Sequence, residues 1–80
     1  MRFFFDFTDG SYVTHDREGH ECESAEAARS EALRALSEVL FNEHRDVEFR
    51  EVLCRVRNER GDIVCQASVT VRAAAVEVVS

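Results

Sequence analysis

Hydrophobic and polar positions alternate at the two ends of this chain and recur every three or four residues in its middle. Residues 2–8 (Arg-Phe-Phe-Phe-Asp-Phe-Thr) are short and aromatic-rich, as a strand requires, with Phe3, Phe5 and Phe7 on one face and Phe4, Asp6 and Thr8 on the other. Asp9-Gly10 follows, a hairpin signal because glycine accepts the positive φ of a tight turn, and Ser11 to His15 reads as the return strand. Residues 16–23 carry no period and read as a connecting loop. Ser24 then offers an N-cap, and helical composition runs from Ala25 to about His44. Its apolar stripe is Ala25, Ala28, Ala32, Leu36, Val39 and Leu40, widened by Leu33, while Glu31, Arg34 and Glu38 lie opposite. Arg29 interrupts the stripe, where its stem can pack while its guanidinium reaches water; Phe41 falls on the polar side. His44 is placed to meet the negative end of the helix dipole.

After Arg45-Asp46 the period returns to two. Val52, Cys54 and Val56 alternate with Glu51, Leu53, Arg55 and Arg57, and a turn at 58–62 contains Gly61. Ile63, Cys65, Ala67, Val69 and Val71 then alternate with Val64, Gln66, Ser68 and Thr70. If Asn58 stands opposite Ile63, Val56 faces Cys65 and Cys54 faces Ala67. The tail from Arg72 is apolar but irregular; extension of the last strand, a short helix and packing on a partner all remain open. The order is ββαββ. The expected fold is α+β, one helix packed on one face of a four-stranded antiparallel sheet, in a single domain spanning residues 1–80.

This pattern resembles a family of small uncharacterised bacterial domains, a domain of unknown function. The likeness is carried by the aromatic run Phe3-Phe4-Phe5-Asp6-Phe7 ending in Asp9-Gly10, the loop Asp16-Arg17-Glu18-Gly19, the Ala-Arg-rich start of the helix at 25–32, and the hairpin around Arg60-Gly61-Asp62. Members often carry histidine where this chain has Asp6, so no role of that histidine transfers. The resemblance implies a fold and a bacterial source but no activity. A looser local likeness, strands leading through an acidic loop into an Ala/Glu-rich helix, is to HicB-type antitoxins, which add a DNA-binding segment.

Eighty residues suffice for one thin core and no deep pocket. The net charge is −6, and the excess of acids falls entirely within residues 1–46. An acidic surface repels phosphate backbones, so nucleic acid is not an expected partner. No apolar run reaches a membrane span, and the first residues lack the features of a signal peptide, so a cytoplasmic location away from membranes is expected. Three cysteines are too few for a disulfide framework; Cys54 and Cys65 read as small core residues.

The loop gathers imidazole, carboxylate and thiol. His15, Asp16, His20 and Cys22 are therefore the candidate metal ligands, although their spacing matches no zinc motif and a solvated acidic loop explains the same residues. Catalysis is not expected, since Glu21 and Glu23 flank Cys22 and work against a thiolate, and no cofactor is implied. Phe4 faces away from the helix and, with Tyr12 or Leu53 beside it according to strand order, gives a candidate partner-binding surface. The expected function is a non-enzymatic protein-interaction module, probing a protein partner or a second copy through an open sheet face or edge. The alternatives are a small-ligand or metal-binding protein using the His15–Cys22 loop, and an antitoxin-like partner of a toxin.

Overall fold

The structure, a computed structural model, describes the backbone of residues 1–42, 49–72 and 75–80, and the side chains of 1–38, 51–70 and 78–80. The expectations for the side chains of Val39, Leu40, Phe41 and Val71, and for His44, fall outside the described residues. The elements run β1 (Arg2–Thr8), β2 (Val13–Thr14), β3 (His20–Glu21), α1 (Ala25–Asn42), β4 (Phe49–Arg57), β5 (Ile63–Arg72) and β6 (Ala75–Val79). All pairings are antiparallel, in the order β2-β1-β4-β5-β6, with β3 also on β1. The α+β class holds. The four-strand count does not: β3 lies in the stretch read as loop, and the irregular tail supplies β6 against β5. The return strand is also shorter than expected, because Asp9 binds the backbone N–H of Ser11 and Tyr12 with one carboxylate oxygen and delays pairing until Val13.

Helix α1 begins where Ser24 caps it. The Ser24 hydroxyl accepts the Ala27 N–H at 3.1 Å, satisfying one of the orphan donors of the first turn. The helix lies across β4 and β5 and buries Ala28, Ala32 and Leu36 completely; Ala25, at its first turn, is exposed. Small residues let the helix approach the sheet closely, and Leu36 fills the remaining depth. Against them stand Phe3 and Phe5 of β1, Val52, Cys54 and Val56 of β4, and Ala67 and Val69 of β5. Phe7, Cys22, Leu33 and Cys65 pack half-buried at the margin of this core.

The β4–β5 register pairs Val56 with Cys65 and Cys54 with Ala67, the arrangement expected from the sequence, but its premise fails. A bulge between Val56 and Arg57 sets Arg57, not Asn58, opposite Ile63. The extra residue reverses the alternation, so Ile63 turns away from the core and is 58% exposed. On β4 the alternation continues past Val56, so Arg57 lies on the sheet face that α1 does not cover, directly opposite Phe4.

Candidate functional site

Asp6 and Arg57 occupy the uncovered face on neighbouring strands, 51 residues apart in sequence. The guanidinium grips the carboxylate with two bonds, Nε to Oδ2 at 2.5 Å and Nη2 to Oδ1 at 3.0 Å. Nη2 also donates to the Asp16 carbonyl at 3.1 Å, and the Asp16 N–H donates to Asp6 Oδ1 at 3.0 Å. The pair therefore ties the loop after β2 to two strands. Arg57 lies over the Phe4 ring, its guanidinium carbon 5.2 Å from the centroid, which adds a cation–π contact. The Arg57 guanidinium holds the Asp6 carboxyl below its ordinary range, against the opposing effect of burial, with help from the Asp16 N–H and His15.

Asp16 organises the loop itself. Its Oδ1 accepts the N–H of Glu18 and Gly19, and its Oδ2 accepts the Phe5 N–H. Burial acts first to raise this carboxyl, but the three backbone donors together outweigh it and leave it below the usual range. Gly19 completes the turn with φ +76, pressed so closely on β1 that a Cβ there would lie 2.8 Å from Arg2 Cγ and 3.0 Å from both the Phe3 carbonyl oxygen and the Phe4 ring. Gly19→Ala is accordingly expected to destabilise the fold by about 2 kcal/mol, from the left-handed backbone and the contact with the Phe3 carbonyl together. Chemical denaturation measures it; a change under about 0.5 kcal/mol would show that the loop is not held against β1.

The candidate metal ligands are divided between the two sheet faces. His15 stands on the uncovered side, Nδ1 3.6 Å from Asp6 Oδ1. His20 pairs with Phe3 on the helix side and meets Phe5 edge-on, ring centroids 5.5 Å apart. Cys22 is half-buried at the core margin, its thiol pushed up by burial and then by Glu31. Both Asp16 oxygens accept backbone donors. Among the described residues no three His, Cys, Asp or Glu side chains converge on a metal position. The partner-surface residues are likewise separate. Phe4 is half-buried between Arg57 and Gly19, Leu53 sits opposite Thr8 farther along the strands, and Tyr12 is 79% exposed at the hairpin tip.

The structure does bring together an open concavity of about 520 Å³, lined by Phe4, Asp6, His15, Asp16, Arg17 and Arg57. Arg57 and Arg17 carry no signal in the sequence that marks them as site residues. The outward alternation of Arg57 was visible, but only the β1–β4 pairing sets it against Asp6.

Residues 2–70 match a family described as a domain of unknown function, DUF6894. The chain belongs to the DUF6894 family. No curated protein and no solved structure is significantly similar to it. The DUF6894 match takes in the aromatic strand, the Asp16–Gly19 loop, the helix and most of β5, and β6 lies beyond it. No helix among the described residues is long and apolar enough to cross a membrane.

Proposed function

We propose that this DUF6894 domain is a non-enzymatic protein-interaction module that pairs with a second copy of itself along β6. The observation that supports this reading is the edge position of β6, which has β5 on one side and no further strand on the other among the described residues. An unpaired edge is a template for strand addition, and a two-fold axis lets one strand serve both partners. Val78 and Val79, on opposite faces of the strand, are 59% and 61% exposed. A two-fold centred on Val78 sets the two Val78 side chains together and places Glu77 opposite the other copy's Val79. The setting we propose is the cytoplasm, where the three free thiols stay reduced.

The test is the melting temperature and sedimentation behaviour over about a hundredfold range of concentration. The wild type should melt higher as concentration rises. Val78→Lys, which sets two cations against each other, should sediment as a monomer with a concentration-independent melting temperature. A wild type that stays monomeric throughout would remove the proposal.

A further inference from the structure

The concavity on the uncovered face has an asymmetry in its polar groups. Its carboxylates are spent inside the fold: Asp6 accepts two bonds from Arg57 and one from the Asp16 N–H, and Asp16 accepts three backbone N–H groups. Its donors are not. Arg57 uses Nε and Nη2 internally, while Nη1 has no partner among the described residues. Arg17 is exposed and makes no hydrogen bond or ion pair with any described residue. His15 presents Nδ1 towards Asp6, which leaves Nε2 on the opposite edge of the ring. An acidic domain thus carries one hollow in which the acids are occupied and the cations are available.

We propose that this hollow binds the phosphate group of a small molecule through Arg57 Nη1, Arg17 and His15. A guanidinium placed over the Phe4 ring and held by two bonds to Asp6 has little freedom left to lose, so its remaining Nη1 donors are preorganised for an oxyanion. Arg17 and His15 come from the loop and Arg57 from the sheet, so the donors approach from separate elements. A tetrahedral anion with several oxygens can use all three, whereas a flat carboxylate satisfies one fork. The low net charge of the hollow, with two arginines against two aspartates, favours a small ligand over a polyanion, which would meet the acidic remainder of the surface. This site lies on β1 and β4, at the far side of the sheet order from β6, and does not depend on self-association.

Titration with inorganic phosphate, followed by backbone amide shifts of residues 16–19 against sodium chloride of equal ionic strength, decides the matter. Saturable shifts with a dissociation constant on the order of millimolar are expected. Arg17→Ala should weaken binding about fivefold and His15→Ala about threefold, since each removes one donor set. Both residues are exposed and their replacement spares the Asp6–Arg57 pair, so these variants report binding without unfolding the domain. Arg34→Ala, on the helix surface, should bind as the wild type does. Shifts reproduced by chloride, or unchanged affinity in the Arg17→Ala, His15→Ala double variant, would overturn the site. An equal response to acetate would overturn its assignment to phosphate.

Discussion

Leu36→Ala should lower the unfolding free energy by about 3–4 kcal/mol. Leu36 is fully buried and heads the largest completely enclosed side chains, with Val56, Val69 and Cys54. Among the described side chains of α1 the other two buried positions are alanines, so Leu36 is the largest of its fully buried residues. Among the described residues a single helix closes over the sheet, which leaves little that can shift to fill the void. Removing three buried carbons forfeits their transfer energy and leaves a cavity. A domain of this size holds roughly 4–12 kcal/mol in all, so the variant should lose a large share of it. Urea denaturation should show a lower midpoint with an unchanged slope. A midpoint shift worth under about 1 kcal/mol would mean that α1 is not seated on β4 and β5 as described.

Arg57→Met should cost about 2–3 kcal/mol at neutral pH, although the hydrocarbon stem over Phe4 is largely kept. The side chains of Asp6 and Arg57 are 12% and 29% exposed, so the substitution strands a mostly buried carboxylate. Asp6→Asn added to Arg57→Met should recover part of the loss, and the double-mutant cycle isolates the coupling between the two. The pH dependence has a definite sign. Asp6 and Asp16 both titrate below the ordinary aspartate value of 3.8 when folded, so each favours the folded state fully above that value. That stability drains away as pH falls from about 4 through the folded values, because the unfolded chain binds the protons first. Arg57→Met should flatten the acid limb, leaving mainly the share due to Asp16. An acid limb identical to that of the wild type would show that the Asp6–Arg57 pair contributes nothing.

Much of this architecture could be read before the structure, and the reasons are local. The alternation through Phe3, Phe5 and Phe7, and through Val52, Cys54 and Val56, reports burial directly, as does the spacing of Ala28, Ala32 and Leu36. The facing of Cys54 and Ala67 was legible from the turn length despite a wrong partner for Asn58, because the bulge lies between that turn and the rest of the ladder. What stayed hidden depends on distant or side-chain-to-backbone bonds. The segment 16–23 has no period because its order comes from Asp16 gathering three N–H groups, and its short strand from pairing with the start of β1. β6 was open because the run Ala73-Ala74-Ala75, which leads into its first residue, breaks the alternation. The candidate site was half visible: His15 and Asp16 were named, but their companions Arg57 and Asp6 meet only once β4 is known to lie beside β1.

The adjacency of β1 and β4 also matters while the protein is being made. The chain between Asp6 and Arg57 takes a ribosome about 3–10 s to synthesise at roughly 5–20 residues per second, and until then β1 lacks the strand it pairs with most extensively. For that interval a run of aromatic side chains waits without its cover, the kind of segment through which nascent chains adhere to one another. Arg2 at the head of the run and Asp6 within it place opposite charges there in advance. Asp6 thus keeps a charge within the nascent strand well before Arg57 arrives to claim it.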